Sequence, residues 1–304
     1  MSRPPVRAAQ TRRVVAFVRR QPGTLIAGVV LLTPFLLFCI VPGLFAPHDP
    51  LRIEAIPLQG PSRTYWLGTD EVGRDLLSRS IYAARNDVLV SLASAFIAFT
   101  LGTTIGLFSG YVGGKVDTVM MRVVDVLLSF PTIVLALFLI VVIGREQWVQ
   151  VLAIALVMMP SMARFSRGTG LVLRNRGYVE AARLAGASRR HVLRHHVLPN
   201  SLPTLLVAAS VLAASAVLIS ASLSYLGLGA QPPDPSWGNM LRSAYGVVYE
   251  APLYGLGPGV CVTIVAGAYI LIGEGLRRKY RAEGYVAAGG ARAGTFATAA
   301  GALG

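Results

Sequence analysis

Charge is scarce in this chain, and acidic charge is scarcest. Only 14% of its 304 residues are Asp, Glu, Lys or Arg, and 14 acids face 28 bases. A soluble domain carries about 25% charged residues. Apolar residues make up 54% of the chain, and mean hydropathy is +0.60. This balance argues against an ordinary water-soluble fold and makes lipid the main solvent. Cysteine is nearly absent. Cys39 and Cys261 each sit inside an apolar run. They form no disulfide framework and have no metal-type spacing, so they read as small buried hydrophobes. Histidine is also rare. His191 and His195 are four apart, but no carboxylate follows them and no H-E-x-x-H occurs, so a zinc enzyme is not expected. A phosphate loop is missing too. Its nearest approach, "SGYVGGKV" at 109–116, has Ser109 for the first glycine and Val116 for Ser/Thr. No nucleotide site, metal or cofactor of its own is expected in this chain.

Long apolar runs fill the rest. A bilayer core of about 30 Å needs roughly 20 apolar residues in a helix. Six candidate transmembrane helices meet or approach this length, at 24–46, 88–108, 120–143, 148–163, 202–227 and 256–272. The expected class is an all-α integral membrane protein. Within the third run, Arg122 and Asp125 are three apart and can pair on one helix face. The alternative is a functional ion site. Spans two, four and five, as bounded here, hold no charged residue, which disfavours proton or sodium coupling by a secondary transporter.

The net charge of +14 and the pI near 10.6 need a partner or a membrane to explain them. Few aromatics interleave with the basic clusters, so nucleic acid is not expected. The bases instead sort by side. With a cytoplasmic N-terminus, most of the 28 fall on inner segments, eight of them arginines between Arg164 and Arg194. Trp66, Trp148 and Trp237 all fall on the outer side. Both termini are therefore expected inside. "TRRVVAF" at 11–17 resembles a twin-arginine export signal, but the following apolar run is too long and lacks an A-x-A site. It reads as the flank of a first span.

The expected layout follows. A cytoplasmic tail occupies 1–23, the first span 24–46 and an outer loop 47–87. A five-helix core covers 88–275, with an inner loop at 164–200 and an outer loop at 228–253. A cytoplasmic tail, Ala/Gly-rich and partly disordered, covers 276–304. In the first outer loop "GTDEVGRDLLSR" reads as a turn before an interfacial helix that enters the second span. "QPPDPSWGNM" in the second suggests a rigid, membrane-facing cap.

The inner loop is the most informative segment. "YVEAARLAGA" reads as a helix with Glu180 in its first turn, where a carboxylate offsets the macrodipole. Ala181, Ala182 and Ala185 give it a small-residue surface. Gly186 permits a bend or a close approach. Ser188 can cap a second helix, "RRHVLRHHVL", which Pro199 then ends. Such a segment could bind anionic lipid through its arginines. A lipid-binding face would, however, prefer Leu, Phe and Trp opposite the bases. Small residues suit the close approach of another protein.

Glu180-Ala181-Ala182, then Gly186, then Leu198-Pro199, resembles the EAA loop of ABC importer permeases. "YVEAARLAGASRRHVLRHHVLPN", "GTDEVGRDLLSR" and "PSWG" at 235–238 are similar to the C-type subunit of the dipeptide/oligopeptide branch. The resemblance covers roughly 20–284. His195 stands where that branch usually has Arg, Arg194 where it often has an aromatic, and "AAR" at 83–85 lacks a common glycine. It implies a type I importer fold with six transmembrane helices. It implies coupling to a cytoplasmic ATPase through Glu180, Ala181, Ala182, Leu184, Gly186, Ala187, Ser188, Leu198 and Pro199. The implied partners are a second homologous permease subunit, two ATP-binding cassette subunits that bind ATP and Mg, and an extracytoplasmic substrate-binding protein, in a bacterial plasma membrane. The implied cargo is a dipeptide or oligopeptide, with glutathione, nickel chelates or haem as alternatives in the same branch.

Overall fold

The structure is a computed structural model that describes residues 22–282. Residues 1–21 and 283–304, which hold most of the two expected tails, lie outside the described residues. No β-strand occurs among the described residues, where one isolated bridge joins Thr69 and Asp75. The helices are α1 (Gly23–Ile40), α2 (Leu76–Val112), α3 (Gly114–Leu128), α4 (Thr132–Ile143), α5 (Gln147–Leu173), α6 (Gly177–Leu184), α7 (Arg189–Val192), α8 (Leu198–Tyr225), α9 (Trp237–Gly246) and α10 (Leu256–Ala282). Five helical stretches are long and apolar enough to cross a membrane: α1, α2, α5, the continuous run Arg189–Tyr225, and α10. The pair α3 and α4 makes the sixth.

That pair replaces the third expected span, at 120–143, with two helices. The two helices meet at 87°. Pro131 is the N-cap of α4, and proline drives the residue before it out of the helical region. The Arg122–Asp125 pair does not form either. Asp125 instead takes Arg164 of α5 at 2.5 Å, at an exposed position.

The central seam joins α2 to α5. Gly102, Gly106 and Gly110 recur every fourth residue on α2, so they share one face. At Gly106 an added Cβ would stand 2.1 Å from the Ala163 carbonyl oxygen. At Gly102 it would stand 2.8 Å from Met159 O, and at Gly110 2.4 Å from Arg167 O. Lipid chains are as apolar as leucine, so helices in a bilayer associate through such close backbone packing. The pairing 102 to 159, 106 to 163 and 110 to 167 makes α2 and α5 parallel. Leu25 packs on Gly275, so α1 begins at the end of the bundle where α10 finishes.

The 37 residues of α2 span about 55 Å, well beyond a bilayer core. Its first turns stand in the loop layer at the other end of the bundle. Asp75 caps them, accepting Ser78 N at 2.9 Å. Asp70 is fully buried and accepts the backbone N–H groups of Val72 and Arg74 and the Arg74 guanidinium at 2.6 Å. The helix expected at the interface is thus the start of α2 itself. Glu71 accepts the Tyr254 hydroxyl at 2.5 Å and the Ser243 hydroxyl at 2.9 Å, tying this turn to α9 and to the approach of α10. Burial pushes the Glu71 carboxyl up, but the Tyr254 and Ser243 hydroxyls and the nearby Arg74 outweigh it, and the group settles below the usual glutamate value. Burial beside Glu71 pushes the Tyr254 phenol up.

Trp237 departs from its expected place at the membrane face. It is fully buried. Its indole donates to Ser80 O at 3.0 Å, and its backbone N–H donates to the Asp87 carboxylate at 2.7 Å. Phe35 of α1 meets it edge-on at 5.9 Å. Trp66 and Trp148 are exposed, as interfacial residues would be.

Two outcomes follow. Gly106→Leu is expected to cost about 1–3 kcal/mol by overpacking and to lower the thermal unfolding midpoint of the purified protein. Gly168→Ala, where a Cβ meets nothing within 4 Å, serves as the control. Equal midpoints for the two variants would overturn the seam. Separately, Glu71→Ala should speed proteolysis of the 47–75 loop roughly five- to a hundredfold, the effect of losing two hydrogen bonds worth about 0.5–1.5 kcal/mol each. The folded carboxyl is the more acidic, so its tie is complete above 4.5 and lost as pH falls through the depressed value. Wild type and variant should therefore converge in acid.

Candidate functional site

At the end of the bundle that holds the start of α1 and the finish of α10, a short exposed segment hangs from two spans. It begins where α5 stops and ends where α8 begins. Three valines hold it in place. Val179, Val192 and Val197 are fully buried, and each contributes roughly 1.5–3 kcal/mol.

Arg183 adds a polar tie. Its Nε donates to the Tyr111 hydroxyl at 3.3 Å, and its guanidinium carbon stands 4.9 Å from the ring centroid. Below the seam, Arg167 of α5 grips Asp117 of α3 through two bonds of 2.6 Å. The Ser109 hydroxyl of α2 donates to the same carboxylate. Three helices are thus clamped beside the segment.

The turn inside the segment has a defined stop. The Gly186 N–H donates to Arg183 O and the Ala187 N–H to Ala182 O, each at 3.0 Å. This six-to-one and five-to-two pattern is a Schellman motif with Gly186 at C′. Gly186 has φ +83, and a Cβ there would meet nothing within 4 Å. The left-handed bend is the first of the two roles open to this glycine. Ser188 then caps α7, its hydroxyl accepting His191 N at 3.3 Å.

Pro199 does not end the second helix. The chain runs in helical form from Arg189 to Tyr225. A π-helical stretch at Leu193–Val197 precedes the proline, and the Leu198 N–H reaches back five residues to Leu193 O. The wider turn accommodates a ring that would clash with a regular α-helical carbonyl. Asn200 Nδ2 donates to His196 O at 2.6 Å, satisfying a carbonyl near the irregularity.

The site residues therefore divide. Glu180, Ala181, Leu184 and Gly186 are exposed on the outer face of the turn, with Leu184 84% exposed. Ser188 is exposed and acts as the cap. Ala182, Ala187 and Leu198 are half-buried against the core, and Pro199 is exposed at the start of α8. Ala182 thus faces inward, apart from Ala181 and Ala185. The buried valines and the Tyr111–Arg183 contact were absent from the sequence expectation. Val179, Val192 and Val197 recur only across the helix–turn–helix, a pattern invisible until the turn is known. The histidines pack on each other, with His191 and His195 stacked at 4.3 Å. No group of three or more potential metal ligands occurs among the described residues.

A second feature lies within the spans. Thr132 of α4, Ser161 of α5, and Val207, Val211 and Ser215 of α8 line an apolar cavity of about 680 Å³.

This arrangement matches known transport proteins. Residues 102–280 match the family described as binding-protein-dependent transport system inner membrane component. The probable D,D-dipeptide transport system permease protein DdpC of Escherichia coli (strain K12) is 38% identical over 266 residues, covering 87% of this chain and 89% of that one. The dipeptide transport system permease protein DppC of Alkalihalophilus pseudofirmus is 37% identical, covering 83% of each. The glutathione transport system permease protein GsiD of Pectobacterium atrosepticum is 39% identical over 219 residues, 72% of this chain and 73% of that one. A chain of the MetNI methionine ABC transporter, solved in inward-facing conformations, shares the fold at a TM-score of 0.53 and 23% identity, covering 68% of this chain and 95% of that one. With its six-span bundle and its exposed helical turn between the fourth and fifth spans, the chain belongs to the family of binding-protein-dependent transport system inner membrane components.

Proposed function

We propose that this chain is the permease subunit of an ATP-driven importer of dipeptides or oligopeptides, and that α6 is where the ATPase docks. One observation carries the reading. Leu184, a large apolar side chain, stands 84% exposed on a turn made rigid by a Schellman stop, a serine cap and three buried valines. Such a residue, held rigidly in water, suits a groove on a partner. Glu180, Ala181 and Gly186 surround it with little bulk. Ala182, Ala187, Ser188, Leu198 and Pro199 set its geometry.

The energy source would be outside the chain. Two ATP-binding cassette subunits would hold ATP and Mg, and closure on ATP would pull on α6. The continuous helix from Arg189 to Tyr225 would pass that pull into the spans. The cavity among α4, α5 and α8 would form half of the pathway, and a second permease subunit would supply the rest. An extracytoplasmic binding protein would deliver substrate to the opposite end, where Asp70, Glu71 and Trp237 order the loops. On this reading α6 and both termini would lie in the cytoplasm of a bacterium, with the bundle in the plasma membrane. The GsiD-like relative supports a second cargo, glutathione, itself a small peptide-like molecule.

Glu180→Lys and Gly186→Val should each reduce uptake to background and uncouple ATPase activity from substrate, while the protein still inserts. At Gly186 a β-branched residue meets a backbone angle it rarely adopts. Normal uptake by both variants would falsify the docking assignment. Orientation has its own check, in a background lacking Cys39 and Cys261. Tyr249→Cys, at a fully exposed position, should react with an impermeant thiol reagent on intact cells, and Arg278→Cys, exposed near the finish of α10, should react only after lysis. The reverse pattern would invert the topology.

A further inference from the structure

One cleft beside α6 is separate from the cavity among α4, α5 and α8. It has two joined compartments. The first, about 690 Å³, is apolar, with Thr103, Thr104 and Leu107 of α2 on one wall and Arg190, Leu193 and Arg194 on the other. The second, about 440 Å³, is polar and lined by Arg174, Asn175, Arg183 and Arg189. Tyr111, Val112 and Arg189 border both compartments, so the two form one amphipathic groove. No carboxylate lines either part. Arg189, Arg190 and Arg194 are exposed and form no ion pair or hydrogen bond among the described residues through their side chains. The Thr103 hydroxyl is buried in the apolar wall, also without a partner.

We propose that this groove holds one anionic phospholipid, with its phosphate among Arg174, Arg183 and Arg189 and an acyl chain along α2. Each part of the groove points to that ligand. Guanidinium groups match phosphate oxygens in paired hydrogen bonds. Arg183 and Arg189 stand in a pocket whose walls hold no carboxylate, and anionic lipid supplies a counter-charge at a membrane surface. The apolar compartment runs from Tyr111 to Thr103, two helical turns or about 12 Å along a membrane-spanning helix. That wall is part of a helix long and apolar enough to cross a membrane, where an acyl chain fits better than a water-soluble protein. A free phosphate would leave it empty. Arg183 belongs to α6, so the lipid would brace the segment assigned above to ATPase docking. The placement of the groove at the membrane surface rests on that reading, while occupancy by lipid is measured without transport.

The test uses the full-length chain, purified in its native assembly with nanodiscs of phosphatidylglycerol and phosphatidylcholine. Lipid retained after detergent extraction is counted by native mass spectrometry. Wild type should keep one phosphatidylglycerol more than the Arg183→Gln/Arg189→Gln variant. Thr104→Trp leaves every charge in place and fills the apolar compartment from an exposed position, and it should lose the same lipid. Equal phosphatidylglycerol retention in all three proteins would overturn the proposal, as would retention of phosphatidylcholine in equal amount. A Thr104→Cys crosslink to another subunit at high yield would also overturn it, by showing that a protein covers the groove. The docking reading fails separately, on normal uptake by Glu180→Lys and Gly186→Val, whatever lipid the protein retains.

Discussion

The fold depends on one close approach, the glycine seam between α2 and α5. A helix surface in lipid gains nothing by burying leucine, because the solvent is equally apolar. Contact must come from dispersion between closely packed backbones. Gly102, Gly106 and Gly110 provide it, bringing the space for a Cβ within 2.1–2.8 Å of carbonyl oxygens on α5. Everything else on the two helices is positioned by that register. Arg167 reaches Asp117 because Gly110 lets the helices touch at that level. Arg174 lies near enough to donate to Gly110 O at 3.4 Å.

At both ends α2 runs past the hydrocarbon layer, and at both ends polar groups take over. At one end Asp75, Asp70 and Glu71 satisfy the first turn and fasten the loops. At the other, Tyr111 meets Arg183 and Val112 passes into the Gly113 turn. Asp87 lies between these regions, 2% exposed, accepting the Trp237 N–H. A buried carboxylate without a bonded donor would be costly. The backbone N–H meets part of that need and holds "PSWG" against α2. The loop between α8 and α10 is therefore a packed element of the bundle, with its tryptophan used as core.

Much of this was legible in the sequence. Apolar run lengths located six spans, and Glu180, Gly186 and Ser188 marked the helix, its stop and the next cap. These are local signals, carried by residues within a few positions of each other. What escaped notice is nonlocal. Asp87 falls just before the apolar run that begins at 88, because composition cannot see that α2 already starts at Leu76. Trp237 resembled an interfacial anchor because its partners, Ser80 and Asp87, lie about 150 residues away. Arg122 was the nearer partner for Asp125 in sequence, but Arg164 on α5 reaches it in space. Pro199 was read by its usual effect on an α-helix, and a preceding π turn removed the conflict.

That π turn bears on how α6 relates to the spans. Had Pro199 broken the helix, α7 would hang from α8 by a flexible joint, and displacement of α6 would dissipate there. Instead the hydrogen-bonded chain continues to Tyr225 with no non-helical residue after Arg189. Buried Val192 and Val197 hold its first turns to the core. The one left-handed residue between α6 and this helix is Gly186, and its two backbone bonds fix the angle it makes. Stiffness on both sides of a single defined bend lets a short exposed helix move with the helix that lines the cavity. Under the proposed coupling, the bend must therefore be rigid, and Gly186 matters for the angle it holds as well as for the space it leaves.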